Sequence, residues 1–599
     1  MEPAARPSNP FDDYIVTDPW QAAVADVPEI HAQAYALCCQ ARDYVQLDNK
    51  TTSVLLHGAI GSGKTHLLAR LRRQWTSTPS ASFTIPAPGI LFIAHRFAPN
   101  PTMIWRQLRR SVVLDLLRPD ANGSTQLHRL ILRQLARARP ADGNLPDWWD
   151  WMHQSYAGPG ELDKELSDLF DILDQECDLG RDLCTILGHL FLDRQRRDAR
   201  DWLRGSPQPD EVLTSLGLPR ANEDPEDPEA QARECLLALC RLAGRDRPLV
   251  ICFDQIEALQ IHPKDQAGLF AFGQLISCLH DLTNNVLMIS CVQSSFLVQL
   301  REYIAGQNYN RLAKYEGSLD LLNWNQAARL IESRLNNRSD LERQRAAHPD
   351  EPLWPLSEPL LKAGLGDRPC PAREVLSHCA RLMGALPPPS LLEFLTGAWN
   401  ERVEQSSART DSDQTDAILT EGLPMLLHLA EKNWKLARAE GEKDLDFVLE
   451  GPDGRIGLSL CNQPSLNSLA ARFRCLKDRH HSPKLHKLIL LRDPRLPITR
   501  GARQARNYLK ELNRAGASYM QSDVEVIAAL DALRSLLSDA KSGDLANAGE
   551  NVELASVEKW LSANLPGVLR DFLEEILARP RPAGQADADG KAKEIESAV

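Results

Sequence analysis

The 599-residue sequence predicts an α/β fold: a parallel, doubly wound sheet with a large all-helical insertion, a helical lid, and a second α/β domain towards the C-terminus. Three observations predict it. An apolar run at 53–56 breaks into glycines and resumes as a helix; a strand–helix–strand–helix rhythm follows to about residue 118; and, after a long stretch without strand signals, buried strands return at 248–253 and 286–292.

Composition bounds the class. With 43% hydrophobic and 25% charged residues the chain reads as an ordinary globular protein, too long for one core and suited to roughly three or four domains. No segment has the uninterrupted apolar length of a membrane span, and the polar start Met1-Glu2-Pro3-Ala4-Ala5-Arg6 is unlike a signal peptide, so a cytoplasmic protein without membrane contact is expected. The 13 cysteines are scattered, and Cys235, Cys240, Cys252 and Cys278 fall in apolar periodic stretches. Buried free thiols are expected rather than a disulfide framework. A net charge of −12 excludes a surface that is basic all over and confines any nucleic-acid contact to a local patch.

Taken in order, residues 1–50 hold a polar leader and a helical spacing from 27 to 37. The first half of the sheet domain, 51–118, contains the strand before the glycines, a helix at 64–75, a strand at 89–94, and a helix at 101–117 with Ile104, Trp105, Leu108, Val112 and Leu116 on one face. Residues 119–236 are read as the all-helical insertion, with patterns at 162–173, 183–192 and 232–242 and a polar break Asn222-Glu223-Asp224-Pro225. Its Trp148-Trp149-Asp150-Trp151 cluster suits core or lid packing, with a base-stacking platform as the alternative. The second half, 237–345, carries the returning strands, a helix at 266–281, a last short strand at 318–324 and a helix at 327–335. Residues 346–438 form the helical lid and connector, broken at Pro387-Pro388-Pro389; 439–545 form the second α/β domain; 546–578 form a helical unit; and 579–599 are a low-complexity tail expected to be disordered.

The chemistry is concentrated in Gly58-Ala59-Ile60-Gly61-Ser62-Gly63-Lys64-Thr65, which fits G-x-x-x-x-G-K-[ST] between a strand and a helix. The glycines let backbone N–H groups approach a phosphate that a Cβ would block. Lys64 supplies a point charge to the outer phosphates, Thr65 offers a hydroxyl to Mg²⁺ at a helix N-terminus, and His66 completes the nucleotide-contacting run. ATP and Mg²⁺ are therefore expected. The strand Leu249-Val250-Ile251-Cys252-Phe253 delivers Asp254 as the metal-side acid. Glu257 is the candidate to polarise the attacking water; the alternative is a solvated glutamate at a helix start.

Together these features resemble the AAA+ and STAND superfamily of P-loop ATPases, especially its origin-recognition-like branch, over roughly 25–118 and 240–385. Phe253-Asp254-Gln255-Ile256-Glu257 looks like the D-Q-x-E form of the Walker B motif found in STAND-type proteins and in large ATPases of phage-defence systems. Asp201-Trp202-Leu203-Arg204-Gly205 is similar to a W-L-x-G phrase of the latter. The resemblance implies catalytic roles for Lys64 and Glu257, and a sensor-1 polar residue at Gln293. It also implies a sensor-2 arginine at Arg373, in Cys370-Pro371-Ala372-Arg373-Glu374, and an arginine finger at Arg311 acting across a subunit boundary. The last role implies a homo-oligomer or a multi-protein complex. Relatives usually place a glutamate directly after the Walker B aspartate, where this chain has Gln255. A scaffold that binds nucleotide with negligible turnover thus stands beside the reading as an ATP-hydrolysing switch or motor, and bacterial defence against phage or mobile DNA is the setting the resemblance implies.

Further on, strands at 445–450 and 455–461 flank the turn Gly451-Pro452-Asp453-Gly454. The hairpin resembles the core of PD-(D/E)xK nucleases: Asp446 matches the first acid, while Ser459 and Cys461 stand where that family has its glutamate and lysine. A nuclease-like domain that does not cut is expected. From Arg472 to Lys487 lies the densest basic stretch, a candidate for DNA or RNA contact, with a solvated helix face as the alternative.

Overall fold

The computed structural model describes residues 9–11, 16, 18–20, 26–76, 90–97, 103–120, 123–138, 159–206, 208, 210–219, 227–244, 248–260, 266–338, 341, 345–366, 368–383, 390–408, 412, 414–430, 433–437, 445–452, 454–463, 465–479, 485–499, 501–543, 545–547 and 550–578. The tryptophans at 148, 149 and 151, residues 222–226, the prolines at 387–389 and the tail 579–599 lie outside them.

Five strands, β1 (Thr52–Gly58), β2 (Leu91–Arg96), β3 (Leu249–Asp254), β4 (Val286–Gln293) and β5 (Tyr315–Leu319), form a parallel sheet in the order β2-β3-β4-β1-β5. Successive side chains point to opposite faces, and both faces are covered. Leu249, Ile251 and Phe253 of β3 enter one apolar cluster while Val250 and Cys252 enter another; in β4, Val286, Met288 and Val292 separate likewise from Leu287, Ile289 and Cys291. That is why these strands read as continuous apolar runs. One face packs on the helices Ala32–Asp48 and Lys64–Thr76. The other packs on Ile104–Leu116, Ala267–Leu282 and the helices of the insertion, which share one continuous core with the sheet. The W-L-x-G phrase ends the helix Arg196–Leu203: Arg109 Nε donates to the Leu203 carbonyl at 2.6 Å and Nη2 to that of Trp202 at 2.9 Å.

Two boundaries differ from the sequence expectation. The last strand of the sheet is Tyr315–Leu319, not 318–324, because Asn323 and Gln326 form a capping box that starts the helix Trp324–Asn336. The expected lid and connector divides. Trp324–Asn336, Glu358–Leu365 and Ala372–Met383 share a small core with Phe11 and Val27, whereas Leu391–Ser407 and Thr415–Ala430 pack against the long helix Val524–Ser542 of the C-terminal part.

The second sheet has the order β10-β9-β8-β7-β6, from β6 (Lys435–Ala437), β7 (Phe447–Gly451), β8 (Gly454–Leu460), β9 (Lys487–Arg492) and β10 (Ser518–Gln521). β6, β7 and β8 are antiparallel, and β9 and β10 continue parallel to β8. All thirteen cysteines are free thiols, with Cys240 and Cys252 buried and Cys235 and Cys278 half-buried. Among the described residues no helix is long and apolar enough to cross a membrane.

Candidate active site

In a parallel sheet ligands gather at the C-terminal ends of the strands, and here β1, β3 and β4 end side by side. The glycine-rich loop leaves β1 at Gly58 and enters the helix Lys64–Thr76. Gly61 and Gly63 adopt φ values of +72° and +101°, a region that excludes most L side chains. Lys64 folds back over the loop, its Nζ donating to the Gly58 and Ala59 carbonyls at 3.2 Å each. Thr65 Oγ1 donates to Asp254 Oδ2 at 2.7 Å, joining residues that lie 189 positions apart. The other Asp254 oxygen accepts the Gln255 N–H at 3.1 Å, and Arg96 Nη2, from the end of β2, stands 3.6 Å from Oδ2.

Gln255 is the hinge of the second half of the site. Its left-handed backbone, φ 59° and ψ 50°, turns the chain from β3 into the short helical turn Ile256–Leu259. Its side chain accepts a hydrogen bond from Ser538 Oγ at 3.4 Å, while Glu257 lines the cavity together with Lys64 and Asp254. The Glu257 side chain is buried and its Oε2 has no hydrogen-bond partner. Burial raises the carboxyl from 4.5 to about 7, against the opposing pull of its own backbone N–H and of Lys64. A carboxyl poised near neutrality in a cleft is suited to accept a proton from water.

Gln293 ends β4 in register with Gly58, interacts with the Glu257 carboxylate and donates from Nε2 to the main-chain carbonyl of Lys541 at 2.9 Å. Arg373 reaches the loop from the other side. Its backbone N–H donates to the Gly61 carbonyl at 3.2 Å, and a Cβ on Gly61 would fall 2.8 Å from its own Cβ. The fold thus brings Gly61, Ser62, Gly63, Lys64, Thr65, His66, Asp254, Glu257 and Arg373 to one cavity. Gly58, Ala59 and Ile60 lie at the root of the same loop.

Arg311 is not brought there. Its guanidinium pairs with Asp281 at 2.8 Å and bonds Ser277, both on the helix Ala267–Leu282 of the same chain. The basic stretch 472–487 is also largely committed within the fold. Arg472 Nη2 pairs with Asp446 at 2.6 Å and Arg472 Nε donates to Ser459 Oγ at 3.0 Å; Lys477 pairs with Glu511 at 2.7 Å. Lys487 donates to the carbonyls of Glu575, Ile576 and Ala578 at 2.8, 3.1 and 3.0 Å, closing the C-terminus of the helix Gly567–Leu577. Residues 480–484 lie outside the described residues.

Three basic cavity residues escaped the sequence reading. His31 Nε2 lies 2.6 Å from the Ser62 carbonyl, and burial pushes the imidazole below 6.5, so a neutral ring donates there. Arg70, on the loop's own helix, donates to the Pro28 and Ile30 carbonyls at 2.9 and 3.0 Å and ties the N-terminal segment over the site. Arg334 had a signal: it falls on the stripe of Ala327, Leu330 and Ile331, a charge at a position the helix buries.

The donor set fits Mg²⁺. A hydroxyl and a carboxylate oxygen converge, and among the described residues no group of three His, Cys, Asp or Glu side chains makes a full protein cage. Mg²⁺ characteristically takes one or two protein oxygens and completes its shell with phosphates and water.

A parallel sheet with a phosphate loop after β1 and a buried acid ending β3 defines a P-loop nucleotide-binding domain. Residues 40–289 match the AAA ATPase domain family, so this part of the chain is similar to an AAA+ P-loop ATPase domain. Curated proteins give no significant match. Among solved structures, the chain is similar to the Orc1 protein of Aeropyrum pernix in complex with DNA, at 12% identity over 82% of this chain and 85% of that one, with a TM-score of 0.24.

Proposed function

We propose that the chain hydrolyses ATP and works as a nucleotide-driven switch. The observation that carries this is the meeting of Thr65 with Asp254 at 2.7 Å beside a buried Glu257 carboxyl. Phosphoryl transfer asks mainly for positioning and charge neutralisation. The loop's N–H groups and Lys64 hold the phosphates, Arg373 adds positive charge from the lid, and Glu257 takes the proton of the attacking water. Thr65 and Asp254 would hold Mg²⁺, which would supply further charge neutralisation at the phosphates. Gln293 orients the groups between Glu257 and the end of β4.

The test is steady-state phosphate release together with ATP binding. Lys64→Ala should abolish both, and Glu257→Gln should keep binding while slowing release by about 100-fold or more. A Lys64→Ala protein with full binding and turnover removes the proposal. A second reading, a nucleotide-dependent scaffold, is favoured by Gln255 standing where relatives carry the catalytic acid; it predicts ATP binding with phosphate release no faster than that of Glu257→Gln.

The second sheet we read as nuclease-like and non-cleaving. What supports this is the Arg472 guanidinium held against Asp446 at 2.6 Å, where a nuclease would collect a metal. A role in defence against phage or mobile DNA rests on the resemblance of the helical insertion and the nuclease-like sheet, a homo-oligomer or larger complex on the arginine-finger role of Arg311, and nucleic-acid contact on the basic stretch from Arg472 to Lys487. Phosphate release unchanged by DNA or RNA would remove it.

A further inference from the structure

Residues 538–543, the end of the helix Val524–Ser542 and the glycine after it, touch three separate parts of the ATP site. Lys541 offers its carbonyl to Gln293 Nε2 at 2.9 Å, and its ammonium bonds the Gln260 carbonyl just after the Ile256–Leu259 turn. Ser538 donates to Gln255 at 3.4 Å. Ser542 lines the nucleotide cavity itself. Gly543, left-handed at φ +71°, lies so close to the phosphate loop that a Cβ there would fall 2.0 Å from Ile60 Cγ2. A second point of attachment lies elsewhere, on the helical insertion, where Ser468 bonds Gln208 and Gln504 donates to Glu211 at 3.3 Å.

Both attachments are mostly polar. No apolar cluster among the described residues joins the sheet domain or its lid to the C-terminal part: the clusters drawn from residues up to Cys379 and those drawn from Leu395 onward share no member. Undocking would therefore expose little apolar surface, and interfaces of this kind permit relative motion. The contacts also fall on groups to which the ATPase reading gives roles. Gln293 stands between the Glu257 carboxylate and the Lys541 carbonyl, so a rearrangement on either side is felt by the other.

We propose that the C-terminal domain is a latch on the catalytic edge of the ATPase sheet: docked through residues 538–543 it restrains Gln293 and the Ile256–Leu259 turn, and ATP turns over fast only when that helix end lifts. The proposal rests on the ATPase reading above. A ligand or partner that pulls on the C-terminal domain would then raise turnover without touching the nucleotide.

The experiment compares wild type, Gly543→Val, which wedges a side chain against Ile60, and Ser538→Arg combined with Lys541→Ala, which leaves the left-handed glycine intact. Hydrogen exchange of the 538–543 amides and phosphate release at saturating ATP are read on the same full-length proteins, with Lys64→Ala as background. Each lost contact is worth about one net hydrogen bond, so exchange and turnover should both rise about fivefold or more. Folded variants whose exchange rises while turnover stays level or falls overturn the latch, as does exchange that does not rise. If wild type and variants alike release no phosphate above the Lys64→Ala background, the ATPase reading has failed and the latch falls with it. That outcome is recognisable because the undocked variants stay silent along with the wild type, whereas a closed latch would silence the wild type alone.

Discussion

Replacing Glu257 by Gln should remove turnover and make the nucleotide-free ATPase domain more stable at pH 8. The carboxyl is only 5% exposed and burial holds it at about 7 instead of 4.5. Because the folded state binds this proton more tightly than the unfolded chain, the associated stability is complete below about 4.5 and is lost as the pH rises through about 7. Carrying a carboxyl over that interval costs at most about 3 kcal/mol. Gln carries no charge at any pH and escapes this penalty. Its amide, however, places an N–H₂ where the partnerless Oε2 stood, and a buried donor without an acceptor costs about 1 kcal/mol or more. A net gain of about 1–2 kcal/mol remains at pH 8, or roughly 2–8 °C in Tm for a domain of this size. At pH 5 the carboxyl is already protonated and the gain should vanish. Thermal unfolding of both proteins at the two pH values, with phosphate release measured alongside, checks the whole chain of reasoning. Equal Tm shifts at pH 5 and pH 8, or a less stable variant at pH 8, would refute the buried-carboxyl assignment.

The same carboxyl sets a rate profile: turnover of the wild type should climb as Glu257 loses its proton, with an inflection near 7, and a rate flat from pH 5.5 to 8.5 would remove it as the base. Asp446→Asn should destabilise the C-terminal domain by about 3–5 kcal/mol, because it strands the buried Arg472, whose side chain is 9% exposed. Asp446→Leu with Arg472→Met should recover most of that loss in denaturant midpoints, and metal-dependent plasmid cleavage by wild type that disappears in Asp446→Asn would show the domain to be an active nuclease. Gln255→Glu should not restore turnover to Glu257→Gln, since the side chain at 255, although it borders the same cavity, is turned to Ser538 by the left-handed backbone; a rescued rate would contradict the geometry of the turn.

Much of the sheet was legible because β1, β3 and β4 are buried on both faces and so read as unbroken apolar runs bounded by glycines or acids. β5 was misplaced because Tyr-Glu-Gly-Ser-Leu is a half-exposed edge strand, paired only with β1 and carrying no apolar run. The three-residue strand β6 left too little pattern to register. The span 346–438 reads as lid and connector together, without a division at the helices Leu391–Ser407 and Thr415–Ala430, because helical periodicity announces an apolar face without saying which core receives it. The site divides in the same way. Gly58 to Thr65 and Asp254 follow fixed local spacings, so residue types alone located them. His31 reaches the cavity only through tertiary packing, Arg70 lies on the loop's own helix but at no motif position, Arg334 shows only as a charge on a buried stripe, and Gln293 meets Lys541 across 248 positions of sequence, beyond any short pattern.

The order of Asp254, Gln255 and Glu257 then acquires a physical reason. A left-handed residue directly after a strand reverses the course of the chain, so positions 255 and 257 face different neighbours although they are two residues apart. Position 255 meets Ser538 of the C-terminal helix at a place 5% exposed, where an unpaired carboxylate would carry a large desolvation penalty and a neutral amide carries little. Position 257 shares the cavity with Lys64, whose positive charge offsets part of the burial of a carboxylate. Both positions border the nucleotide cavity, and placing Gln first and Glu third sets the neutral amide against Ser538 of the neighbouring domain and the ionisable group where Lys64 offsets its burial. The departure from the usual acid–acid order is therefore the arrangement that this turn, with this domain docked on it, tolerates best.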